Sequence, residues 1–172
     1  MKIVDIVREF FLFIALVLLQ VLVLNKISLL SIATPFLYIY FVIKLPFHRN
    51  KFYVIITSFL MGIIIDIFLN TPGVNAAALT IAATLRSVLI PLFYPKNELD
   101  VLVPVIRNNT VSFIKYSIVM ILIHHTLLFF IDSLSLFSVT ETIYRIIASS
   151  LLSLILVLSL DSLFFRKGKV LG

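Results

Sequence analysis

Few side chains in this sequence have chemistry to offer, and nearly all of them sit in apolar surroundings. Asp66 lies near the end of the run Phe52 to Leu69, and a carboxylate in such a run is costly in lipid unless it faces a partner or a polar cavity. Ser58, Gly62, Asp66 and Asn70 are spaced four apart, which places them on one stripe of a helix, and Asn75, Ala78, Ala82 and Arg86 form a similar stripe in the next segment. Small residues on such a stripe permit close backbone approach, and polar ones supply interhelical hydrogen bonds. Two readings are open: a stripe that glues the bundle, and a stripe that shapes a docking surface. His124 and His125 are adjacent, so on a regular helix they point roughly 100° apart and do not share a ligand. Hydrogen bonds to neighbouring helices suit them better than a metal or a proton relay. There is no glycine-rich phosphate loop, metal-ligand helix motif, nucleophile elbow or carboxylate pair at catalytic spacing. With no cysteine, thiol catalysis and cysteine metal sites are excluded. The expectation is a protein without catalytic residues, cofactor or metal.

The elements that position these residues follow from composition. Hydrophobic residues make up 62% of the 172 residues and charged residues 13%, with a mean hydropathy of +1.20. A water-soluble domain cannot bury that much apolar surface, so the chain reads as one polytopic membrane domain over 1–172. A membrane helix needs about 20 residues, and six segments approach that length, near 7–24, 31–46, 52–70, 74–92, 111–131 and 140–164. The N-terminal apolar stretch has no small-residue cleavage pattern after it and reads as a retained span. The second segment is short and carries Pro35, so a full crossing and a re-entrant excursion are both open there. Runs such as Ile63 to Ile65 are apolar on all sides, which excludes the alternation of barrel strands. The fold class expected is an all-α integral membrane bundle of six transmembrane helices.

The net charge of +6 would suggest nucleic acid in a soluble protein, but here the basic residues flank the hydrophobic runs. All Lys and Arg other than Lys26, Arg86 and Arg145 fall on one side, so the positive-inside rule places both termini in the cytoplasm and assigns no nucleic-acid partner. Thr71-Pro72-Gly73 is a tight external turn that makes spans three and four antiparallel neighbours. The half-apolar stretch Leu99 to Ile106 in the longest connection is expected along the interface or against a partner. Depth suggests ion pairs. Asp66 lies about 6 Å and Arg145 about 7 Å below the outer surface, while Arg86 and Asp161 both lie within about 9 Å of the cytoplasmic end. Asp66 with Arg145 is therefore one expected pair, and Arg86 with Asp161 another, with snorkelling of Arg86 to the interface as its alternative.

The run Ser58-Phe59-Leu60-Met61-Gly62-Ile63-Ile64-Ile65-Asp66-Ile67-Phe68, followed by Thr71-Pro72-Gly73-Val74-Asn75-Ala76-Ala77-Ala78, resembles the central signature of the rod shape-determining protein MreD family. The matching positions are Gly62, Asp66, Gly73 and Ala76 to Ala78. The length, six spans, Pro35 and the basic tail are similar more loosely. The resemblance implies a non-enzymatic, multi-pass subunit of the bacterial cytoplasmic (inner) membrane. Such a subunit binds the single-span protein MreC and supports lateral peptidoglycan synthesis by RodA and a class B penicillin-binding protein, directly or indirectly. It also implies a fold similar to the substrate-binding subunits of energy-coupling-factor transporters. The rival reading is accordingly a membrane subunit that binds a small, vitamin-type molecule. Candidate packing and docking residues are Ser58, Gly62, Asp66, Asn70, Pro72, Gly73, Asn75, Arg86 and Arg145.

Overall fold

The computed structural model describes residues 3–27, 33–95, 103–133 and 138–164. Lys2, Lys96, residues 99–102 of the half-apolar connection, and the basic tail with Arg166, Lys167 and Lys169 lie outside these residues, as do 31 and 32 of the second segment. The described chain is helical: α1 (Ile3–Leu22), α2 (Ile39–Lys44), α3 (Lys51–Leu69), α4 (Val74–Phe93), α5 (Thr110–Asp132) and α6 (Val139–Phe164). Among the described residues five helices are long and apolar enough to cross a membrane. The second expected span is not a long helix. Of segment 31–46, residues 33–37 are non-helical and lead into the six-residue α2, with Pro35 in the non-helical part.

Local chemistry sets the ends of the long helices. The Asn50 side chain accepts from Phe52 N–H at 2.8 Å and starts α3, and the Asn109 side chain accepts from Ser112 N–H at 3.0 Å and starts α5. Each satisfies one of the orphan donors of a first turn. At the other end of α3, Asn70 adopts the left-handed conformation (φ 56°), and Gly73 follows with φ 80°. Asn and Gly tolerate that region best, so the two residues reverse the chain within the expected turn.

The long helices pack in the order α1–α3–α4–α5–α6, with α3 and α4 as an antiparallel hairpin. Segment 33–44 is enclosed by them. Every residue from Leu37 to Ile43 is at most 2% exposed, and α2 touches α1, α3, α4 and α5. Large apolar side chains such as Phe10, Phe52, Ile67 and Leu163 face outward, as expected of a surface in contact with lipid.

A non-helical chain inside such a bundle has backbone groups that no helix satisfies, and it is tolerated only where protein satisfies them. Here side chains from two helices do so. The amide of Gln20, from α1, accepts from Leu37 N–H at 2.8 Å and donates to Pro35 O at 3.0 Å. From α6, the Ser149 hydroxyl accepts from Thr34 N–H at 3.1 Å, and the Ser153 hydroxyl accepts from Phe36 N–H at 2.9 Å.

Candidate functional site

Two clusters of buried polar groups flank the broken segment, and its tyrosines reach both. The first lies at the α3–α4 turn. Asp66 Oδ1 accepts from Asn75 N–H (2.9 Å), Asn75 Nδ2 (2.8 Å) and the Thr71 hydroxyl (2.8 Å), and Oδ2 accepts from Ala76 N–H (2.9 Å). The backbone carbonyl of Asp66 meanwhile accepts from Thr71 N–H at 3.1 Å and from the N–H of Asn70. One residue thus closes α3 with its carbonyl and caps α4 with its carboxylate, where a negative charge is favoured by the helix dipole. Asn75 passes the network inward by accepting from the Tyr38 hydroxyl at 2.6 Å.

Four residues before Asp66, Gly62 brings the helices together. A Cβ at Gly62 would stand 2.3 Å from Ala76 Cα and 2.7 Å from Ala76 N. Both are backbone atoms, so no side-chain adjustment would relieve the overlap. Ser58, one turn further along, is buried and donates to Val54 O of its own helix at 2.6 Å, the common resting place of a helical serine. Asn70, Pro72 and Gly73 are exposed. The stripe therefore divides: Ser58, Gly62 and Asp66 face the bundle, whereas Asn70 acts through its backbone conformation.

The second cluster gathers around Asp161 of α6. Asp161 Oδ1 pairs with Lys44 Nζ at 2.5 Å and accepts from the Tyr40 hydroxyl at 2.7 Å, while Oδ2 accepts from Ile106 N–H at 2.8 Å. Lys44 also donates to Pro104 O at 2.8 Å. Pro104 and Ile106, at the end of the stretch expected along the interface or against a partner, thus contact the buried pair. Lys44 is only 4% exposed.

These contacts overturn both expected ion pairs. Asp66 is satisfied by neutral donors of its own hairpin, and Arg145 pairs with Asp132 of α5 at 3.7 Å and lies over the Phe129 ring. Equal depth does not bring side chains together when they face different neighbours. Arg86 does not reach Asp161 either. Its Nε donates to Val42 O (2.9 Å), and its Nη2 donates to Leu45 O (2.5 Å) and Pro46 O (3.1 Å). The positive end thus meets the carbonyls that close α2, where a cation is favoured. Snorkelling is overturned as well, because Arg86 is 3% exposed.

His124 and His125 are fully buried. His125 Nδ1 lies 2.9 Å from Ile121 O, so this nitrogen carries the proton, and Nε2 accepts from the Ser153 hydroxyl at 3.1 Å. His125 thereby holds the serine that binds Phe36 N–H. His124 packs edge-on against the Tyr38 ring, with centroids 5.0 Å apart. Among the described residues no three His, Asp or Glu side chains gather as a metal site.

Sequence reasoning missed Gln20, Tyr40, Lys44, Ser149 and Ser153. A signal for some of them exists. Gln20 is the lone polar residue between Phe10 and Leu24, and Ser149, Ser153 and Asp161 recur on α6 at multiples of four. No protein-family model, no curated protein and no solved structure matches this chain.

Proposed function

We propose that the chain is a non-enzymatic scaffold of the bacterial cytoplasmic membrane that presents the α3–α4 hairpin to the single transmembrane helix of an MreC-like partner, in support of lateral peptidoglycan synthesis. The observation that carries this reading is the hairpin itself. Direct backbone contact at Gly62 and the double cap at Asp66 fix its two helices against each other, which suits a rigid docking element. Its outward side offers Phe52, Ile56, Phe59 and Ile67, all exposed and spaced to line one face of α3. The family resemblance across Ser58 to Ala78 adds the identity of the partner to this reading.

Co-purification of an MreC-like partner from mild detergent tests the proposal. Gly62→Leu forces the helices apart and should abolish recovery while the protein still reaches the membrane. Ile56→Ala combined with Phe59→Ala leaves the hairpin intact, and recovery should fall at least tenfold with an unchanged melting temperature. Full recovery in both well-expressed variants would falsify the assignment.

A second reading is favoured by the broken segment 33–44, since discontinuous helices line substrate sites in transporters. On that reading the chain is the substrate-binding membrane subunit of a vitamin-type transporter. A stoichiometric small molecule in the purified protein, identified by mass spectrometry, would replace the scaffold by this function.

A further inference from the structure

A cavity of about 240 Å³ opens between the α2–α3 connection and the facing parts of α3 and α4, at the basic end of the bundle. Four basic side chains line it: His48, Arg49, Lys51 and Arg86, with no acidic side chain among the described lining residues. Val54, Ala83 and Ile90 supply apolar walls. Their charges are not equivalent. Arg49 is held by Glu9 in a buried ion pair and lies over the Tyr53 ring, so its charge is largely balanced. Arg86 gives its hydrogen bonds to backbone carbonyls and takes part in none of the ion pairs seen among the described residues. A cation therefore stands at the floor without a carboxylate, under an exposed His48 and Lys51.

This is the arrangement that an anionic lipid satisfies. A basic pocket between membrane helices at the cytoplasmic side attracts a phosphate headgroup, with each cation near the surface favouring the anion. A free anion would make no use of the apolar walls. Nor would it use the exposed apolar side chains of Phe52 on α3 and Val88 on α4, whose helices border the cavity and offer a path for acyl chains. We propose that this cavity is a binding site for the phosphate headgroup of an anionic phospholipid of the surrounding leaflet. Lys51 and His48 contact the phosphate, and Arg86 supplies the field beneath it. The site lies at the opposite end of the hairpin from Asp66 and stands independently of the docking function.

The test uses the full chain in phosphatidylcholine nanodiscs titrated with phosphatidylglycerol, read by native mass spectrometry of retained lipid and by melting temperature. The wild type should retain phosphatidylglycerol in preference to phosphatidylcholine. Lys51→Gln should weaken that retention about fivefold, and adding His48→Gln should weaken it further. Lys115→Gln removes an exposed charge outside the cavity and should leave retention unchanged. Arg86 is left intact because its carbonyl contacts hold α2. Equal retention of the two lipids would overturn the proposal, as would equal losses from Lys51→Gln and Lys115→Gln. Inorganic phosphate that raised the melting temperature as much as the lipid would also overturn it, by making the cavity an ion site. If Lys51→Gln loses its melting transition in phosphatidylcholine alone, His48→Gln by itself decides between the outcomes.

Discussion

Asp66 and Asp161 are both buried carboxylates near opposite ends of the same bundle, and they are satisfied by opposite means. Asp66 receives four hydrogen bonds from neutral donors, all within ten residues of it, one from Thr71 in the turn and three from Asn75 and Ala76 in the first turn of α4. Asp161 receives a full positive charge from Lys44, a tyrosine hydroxyl and one backbone N–H, from residues between 55 and 121 positions away. A turn and a helix dipole stabilise the first carboxylate as soon as the hairpin forms. The second has its partners only when α2, α6 and the connection before α5 have all come together. The Asp66 cluster is therefore a device of one hairpin, while the Asp161 cluster is a tie across the whole chain.

That contrast assigns a large loss to Asp161. Asp161→Asn leaves the Lys44 ammonium buried without its counter-charge, which costs about 3–5 kcal/mol. Adding Lys44→Met removes the stranded charge, so the double variant should recover most of that stability in a chemical unfolding titration in mild detergent. Losses that simply add would show that the two groups do not form a coupled pair.

The tie extends to the backbone of the broken segment, where Gln20 serves two groups at once. Gln20→Met keeps the volume but orphans Leu37 N–H and Pro35 O, and each unsatisfied buried group costs about 1–3 kcal/mol. The expected drop is comparable with that of Asp161→Asn and larger than that of Asp66→Asn at the α3–α4 turn. Unchanged stability would mean that segment 33–44 does not depend on side chains of α1 for its position.

The same distinction decides what is legible in sequence. Five of the six expected spans appear as long helices within a few residues of their expected bounds, because length and apolar composition are local properties. The hairpin is legible for the same reason: Gly62, Asp66, Asn75 and the Thr71-Pro72-Gly73 turn lie within fourteen residues, and spacing alone aligns them. Lys44 read as one more basic residue flanking a span, since nothing nearby marks it as the partner of a residue 117 positions later. In the second segment, shortness and Pro35 left a full crossing and a re-entrant excursion open, and apolarity could not decide between them. Its hydrophobic content is that of a buried core element, and helical or not, such a segment has the same composition. Gln20, Ser149 and Ser153 reveal the break only in combination, as donors and acceptors aimed at one stretch of backbone.

The finest test concerns Asp66 and Arg145, whose equal depth suggested contact. Asp66→Asn keeps one acceptor oxygen but loses the charge at the start of α4 and part of the double cap, a cost of about 1–3 kcal/mol. Arg145→Gln breaks a 3.7 Å pair with Asp132 in which both side chains are more than a third exposed, so its effect should stay below about 1 kcal/mol and shrink in high salt. With no shared partner, the two changes should add to within about 0.5 kcal/mol in a double-mutant cycle. Direct pairing would instead give a double variant more stable than the sum, because the second change would remove a charge already left alone by the first. Coupling of that kind would place Arg145 beside the hairpin and make Asp66, like Asp161, dependent on a distant cation. Additivity keeps the two carboxylates in their separate classes.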